Sequence, residues 1–251
     1  MKKTVSKIIA TLAVALPLVT AGNAQAAAVL IHDYQLNGTL NDALSANALV
    51  GLGGNLTDNA GRYTFGANQG LKLTNGLNNT SVWSMDFRAS YSSLSGTWKK
   101  LVDFQNLGTD RGLYFTNYGS GNGLQYYPHG LGPDSVNTGT DYTIALTRDV
   151  LGDLRGYVNG ALQWTIAVEP DAVSASNILH FFVDDFATGQ SEAQGGSVDF
   201  IRIYDGVLNQ ADVTILNQGG SVGNSVPEPG SLALLGLGLV GLAVLRRRRQ
   251  P

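Results

Sequence analysis

The chain contains no cysteine. Disulfides, thiolate metal ligands and a cysteine nucleophile are therefore excluded, as is a lipid-modified cysteine behind a leader. Histidine is scarce too: His32, His129 and His180 are scattered without metal-ligand spacing, and no serine nucleophile motif lies near them. Between residues 27 and 225 the only glutamates are Glu169 and Glu192. Glycoside cleavage needs two carboxyl groups paired across the scissile bond, and no E-x-D-x-E run is present. Near Asp199, the alternate positions are taken by Ile201 and Ile203. Catalysis is therefore not expected. Charge is sparse as well, 14% of residues with a net of −3, which excludes the basic excess of a nucleic-acid binder.

That net charge hides a division. Lys2, Lys3 and Lys7 make the front basic, Arg246 to Arg249 make the back basic, and the body between 27 and 226 carries nine basic against 18 acidic residues. At the front, the lysines precede an apolar stretch, Ile8 to Val19, and then Ala24-Gln25-Ala26. This is the pattern of a secretory signal peptide over 1–26, with Ala24 and Ala26 as the small residues a signal peptidase accommodates. The body is thus expected outside the cytoplasm and, lacking disulfides, must be held by its core alone. Its length suffices, since a single domain of about 200 residues buries roughly 70% of its unfolded surface.

At the back, Val226-Pro227-Glu228-Pro229 precedes an uninterrupted apolar and glycine run from Leu232 to Leu245, followed by the four arginines. A helix over 232–245 would be about 21 Å long against a hydrocarbon core of about 30 Å, a marginal span. The arginines would stay on the cytoplasmic side, leaving the body outside. The two prolines hold an extended stretch just before the membrane. Motif, apolar segment and arginine end, in that order, resemble the PEP-CTERM sorting signal of Gram-negative bacteria, over 226–251. The resemblance implies processing by an exosortase. It also implies transient residence in the inner membrane through the C-terminal helix, then delivery to the cell envelope or an extracellular polysaccharide matrix. Residues 219–225, rich in Gly, Ser and Asn, read as a flexible linker.

The body reads as all-β. Short runs of β-branched and aromatic residues recur between Gly, Asn and Asp clusters: 30–36, 81–91, 99–105, 112–117, 142–148, 154–159, 162–168, 178–184 and 198–204. In one, Trp83, Met85, Phe87 and Ala89 alternate with Ser84, Asp86 and Arg88, which predicts a strand with one wet face. Asn159-Gly160 predicts a hairpin over 154–168. One helix is expected over 209–216, capped by Asn209, with Ala211, Ile215 and Leu216 apolar. Many short strands and almost no helix predict a two-sheet antiparallel sandwich. Residues 147–160, 196–208 and the opening Tyr34 to Gly38 with Asn41-Asp42 resemble, in their order, laminin G-like, concanavalin A-type jelly rolls. That resemblance covers most of a domain at 27–218 and implies a lectin- or glucanase-type sandwich that binds glycans or proteins.

Two candidate sites follow. Tyr118, Tyr126 and Tyr127, in the glycine-rich stretch 118–133, offer faces for sugar stacking, although alternate aromatics there would equally fill a core. Asp184 and Asp185, with Glu192, could gather around a calcium ion, a cofactor the laminin G resemblance makes familiar though none is required; the same aspartates could simply accept turn N–H groups. His180, inside a strongly apolar run, reads as a sheet residue. The expected function is polysaccharide binding without cleavage. The alternatives are a structural or adhesion role with a surface protein as partner, and a glycan-cleaving enzyme.

Overall fold

The computed structural model describes residues 27–57, 61–118 and 123–222. In chain order the elements are β1 (Val29–Tyr34), β2 (Val50–Gly51), β3 (Asn55–Thr57), β4 (Arg62–Phe65), β5 (Leu71–Thr74), β6 (Trp83–Tyr91), β7 (Trp98–Asp103) and β8 (Gly112–Thr116). They continue with β9 (Gly123–Tyr127), β10 (His129–Leu131), β11 (Tyr142–Arg148), β12 (Leu154–Val158), β13 (Ala161–Ile166), β14 (Ile178–Phe181), β15 (Gly196–Asp205) and α1 (Gln210–Asn217). The signal peptide with Ala24 and Ala26, the sorting motif and the 232–245 segment all lie outside the described residues. No described helix is long and apolar enough to cross a membrane.

The strands form the expected two-sheet antiparallel sandwich. The first sheet runs β13, β12, β11, β6, β15, β4, β3, with β1 also paired to β15; the second runs β10, β9, β8, β7, β14, β5, β2. β15 pairs with β6 along its length, while its other edge is shared by β4 at Gly196 to Val198 and by β1 at Ile201 to Asp205. Asp199 falls at the bulge between Val198 and Phe200, where one extra residue breaks the two-residue period. Between the sheets Phe87, Phe181, Phe182 and Phe65 form the aromatic centre, with Phe65 and Phe182 stacked at 4.2 Å. Burying each phenylalanine contributes about 1.5–3 kcal/mol.

Two expectations need correction. β6 has no half-wet face over its first part, because Ser84 and Asp86 are fully buried. A second apolar cluster, including Tyr157, Tyr204, Leu208, Val213 and Leu216, covers that outer side of the first sheet. Ser84 donates to the Gly206 carbonyl, and Asp86 accepts from the Tyr204 hydroxyl. Burial holds the Asp86 carboxyl up at about 6, despite the Arg202 guanidinium nearby. The second correction concerns α1. Asn209 caps it as expected, accepting from Ala211 N and Asp212 N, but Val213 and Leu216 are the buried residues and Ile215 is exposed. The domain also extends past 218: Gly220 N bonds to the Ile215 carbonyl, and Val222 packs against the second cluster.

The hairpin forms as expected, with β12 and β13 joined through Asn159 and Gly160, both at positive φ (48° and 83°). In the 147–160 segment Arg148 is a structural tie, donating to the carbonyls of Ser81 and Glu169. Asp149 closes the turn by accepting from Leu151 N and Asp153 N.

Candidate functional site

The outer face of the second sheet, away from the core, carries the polar and aromatic chemistry. Alternation on β8 sends Leu113 and Phe115 inward and Tyr114 and Thr116 outward; on β9 it sends Leu124 and Tyr126 inward and Gln125 and Tyr127 outward. Tyr126 and Tyr127 therefore cannot share a surface, since successive strand residues point to opposite faces. Tyr126 is a core residue, fully buried, its hydroxyl donating to the Ala172 carbonyl, and it leaves the list of glycan-binding candidates. The 118–133 stretch is also not one loop, because it contains β9 and β10.

Tyr118 and Tyr127 do meet, through Trp98 on β7. Trp98 stacks on Tyr118 at 6.0 Å between ring centroids and meets Tyr127 edge to face at 5.2 Å. Tyr114 supports them from below, 5.5 Å from Trp98 and 6.4 Å from Tyr127. Tyr118 is 67% exposed, while Trp98 and Tyr127 are half-buried. Large apolar side chains left in water on a folded surface mark an interaction site when they cluster.

Beside this patch lies a charged floor. Lys100, on β7 opposite Tyr114, is fully buried and points outward into the loops 104–111 and 182–195. Its Nζ donates to Asp185 Oδ2 at 2.8 Å, to the Arg111 carbonyl at 3.2 Å and to the Tyr114 hydroxyl. Tyr114 in turn donates to Asp110 Oδ1 at 3.0 Å. Asp184 Oδ2 accepts from Thr188 Oγ1 and from Glu192 N, and Asp103 Oδ1 accepts from Gln105 N and Leu107 N. The two aspartates organise the loops above the sheet. Gly112 is required here, because a Cβ at that position would stand 2.5 Å from the Val102 carbonyl and 3.4 Å from Lys100 Nζ.

Asp184, Asp185 and Glu192 thus converge, with Asp103 and Asp110, but around an ammonium supplied by the protein itself. Asp184 and Asp185 are fully buried and bonded to Lys100 or loop donors. Among the described residues no group of three or more His, Asp or Glu side chains is placed to hold a metal ion. The donor set does not fit calcium, because Lys100 stands where the ion would have to sit. Glu192 is half-buried at the rim. Burial, then the nearby Asp184, Asp110 and Asp185 carboxylates, push its carboxyl up to about 7 against the opposing pull of Lys100. Burial raises Asp110 as well. Lys100 carried no motif in the sequence; only the register of β7 against β8 reveals it.

The remaining histidines and glutamate sit elsewhere. His180 lies on β14 opposite Lys72 and Asp103. Burial, and then Lys72, lower its imidazole to about 4, and its Nδ1 has no hydrogen-bond partner. Glu169 is buried under His129 and Arg111, at 3.2 and 3.3 Å. His32 pairs with Asp42 at 2.6 Å.

Comparisons with known proteins agree with these divisions. Residues 225–249 match the PEP-CTERM protein-sorting motif, which marks an exported protein processed at the membrane. No curated protein sequence matches the chain. Among solved structures, domain 4 of an extracellular arabinanase from Geobacillus stearothermophilus, solved with arabinotriose, is similar with TM-score 0.60 and 19% identity, over 76% of this chain and 100% of that domain. The binding domain of botulinum neurotoxin serotype D has TM-score 0.57 and 16% identity, over 76% of this chain and 52% of that one. A Trypanosoma rangeli sialidase solved with the inhibitor DANA has TM-score 0.56 and 14% identity, over 77% of this chain and 34% of the enzyme. At such identities the likeness is one of fold.

Proposed function

We propose that this is an exported, exosortase-processed protein of the Gram-negative cell envelope or extracellular matrix, whose laminin G-like sandwich binds carbohydrate without cleaving it. The observation that carries the reading is the cluster of exposed Tyr118 with half-buried Trp98 and Tyr127, beside carboxylates and hydroxyls. Rings of this kind take the C–H faces of sugars, while the neighbouring polar groups take their hydroxyls. The arabinotriose-bound and toxin binding domains lend the reading support at the level of fold. Asp103, Asp184 and Asp185 are shut off from solvent and bonded into the floor, so they cannot flank an incoming glycosidic bond. Glu192 and Asp110 are the partly exposed carboxyls, and we read them as polar contacts for the bound sugar.

The test is affinity electrophoresis of the processed protein in polysaccharide gels, including the host's own matrix. Retardation is expected and should weaken about five- to tenfold in Tyr118→Ala, the loss of one stacked ring. No new reducing ends should appear. Absence of retardation in every gel would overturn the carbohydrate reading in favour of a protein partner. Mass spectrometry of the mature protein should find a terminus short of Pro251; an intact tail would overturn the processing step.

A further inference from the structure

The charge around Lys100 does not balance. Five carboxylates, Asp103, Asp110, Asp184, Asp185 and Glu192, share this face, and Lys100 is the cation that opposes them. Its three N–H donors are spent on Asp185, Tyr114 and the Arg111 carbonyl. Asp184 Oδ1 and Asp103 Oδ2, each 3.7 Å from Nζ, are left buried with no hydrogen-bond donor. Arg111, whose carbonyl accepts from Lys100, has its guanidinium committed to Glu169 and the Pro170 carbonyl. Acidic groups therefore outnumber cations on this floor, and Glu192 and Asp110 are the partly exposed ones at its rim, each carboxyl raised by burial and by its acidic neighbours. Among the described residues no donor is bonded to the Glu192 carboxylate. Tyr114, which feels the Glu192 charge, meets Trp98 and Tyr127 with its ring, and so joins the acidic rim to the aromatic patch.

We propose that the site takes a cationic polysaccharide built of sugars with free primary amines, its ammonium groups seated at Glu192 and Asp110 and its rings on Trp98, Tyr118 and Tyr127. The inference rests on the carbohydrate reading above and narrows it. Lys100 shows what the face accommodates: an ammonium 4.3 Å from the Tyr114 ring centroid, held by a carboxylate, a phenol and a carbonyl. A ligand amine at the rim repeats that arrangement one step further out, with charge-assisted bonds about twice as strong as neutral ones. Neutral sugars leave the charge uncompensated, and uronates meet like charge.

The deprotonated Glu192 is the form that holds the amine. Asp184, Asp185, Asp110, Lys100 and Tyr114 are the titratable groups facing it. Binding of an amine should therefore strengthen as pH rises from 5 to 7, for as long as the ligand stays protonated.

The experiment is calorimetry of the processed protein with three probes: a β-1,4-linked glucosamine hexamer, the same hexamer fully N-acetylated, and a glucose hexamer. The glucosamine hexamer should bind at least tenfold tighter than either other probe. Glu192→Gln should lower its affinity about tenfold and collapse the difference between the probes, while melting no lower than the parent, because the carboxylate it removes is one that burial and its acidic neighbours disfavour. Equal affinity for the amine and acetylated hexamers would overturn this inference and leave the carbohydrate reading standing. Binding of a lysine-rich peptide but of no hexamer would overturn both.

Discussion

Replacing Lys100 by methionine, which keeps most of the volume and removes the charge, tests the account of the floor directly. Nζ is fully buried, bonded to Asp185 and within 3.7 Å of Asp103 and Asp184. Taking away one side of a buried ion pair strands the other, at a cost of about 3–5 kcal/mol. A domain of this size loses about 2–4 °C per kcal/mol, so its thermal midpoint should fall by roughly 6–20 °C at pH 7. The sign of the pH dependence follows. Burial already raises the Asp103 carboxyl while the Lys100 charge pulls it down; without the ammonium that pull is gone, so the fold binds more protons than the unfolded chain. Stability is then fullest below the unfolded value and is lost as pH rises through the folded one. The gap between variant and parent should shrink when melting curves are recorded at pH 4.5 instead of 7, and Asp184→Asn or Asp185→Asn in the variant should recover part of the loss. A midpoint unchanged at pH 7 would refute the reasoning. So would a loss of equal size at both pH values, which would assign it to packing.

Three further outcomes are expected. Asn209→Ala removes the side chain that accepts from Ala211 N and Asp212 N; it should cost about 1 kcal/mol, read as a lower urea midpoint at unchanged slope. Gly70→Ala places a Cβ 1.8 Å from the Phe181 carbonyl; the backbone has to move, and a loss of about 1–3 kcal/mol or more is expected by the same measurement. His180 is held at about 4 by burial and Lys72. Stability it supports above the unfolded value of about 6.5 is lost as pH falls toward the folded value. His180→Leu should therefore lose less thermal midpoint than the parent between pH 7 and pH 5.

How far the sequence is legible depends on the range of the interaction that decides each feature. Strands such as Tyr142–Arg148 follow from period-two alternation, and the Asn159-Gly160 turn and the Asn209 cap follow from chemistry within a few residues. The short strands Arg62–Phe65 and Leu71–Thr74 were not legible, because four residues among glycines and asparagines carry too little pattern. Asp86 looked like a solvated residue, and its burial depends on a helix more than a hundred residues away. Ile215 and Val213 exchange roles because the rotation of a two-turn helix on its sheet is set by what it meets. Tyr126 and Tyr127 could not be separated by composition; the pleat of β9 against β8 separates them.

The sequence alone marks an exported protein processed at the membrane and gives the class of fold. Residues 225–249 are a sorting motif read as a linear address, and alternation with turn residues suffices for an antiparallel sandwich, because both act through neighbours along the chain. Which of the candidate residues come together, and with what partners, was decided by tertiary structure. Trp98, Lys100, Tyr114, Tyr118, Tyr127, Asp185 and Glu192 come from separate strands and loops, and what each one does depends on a register and on loop closures that bring distant charges together. The overall charge of −3 says nothing of this. The electrostatics that matter arise only once the fold buries one ammonium among a surplus of acidic groups and leaves that surplus beside one exposed and two half-buried rings.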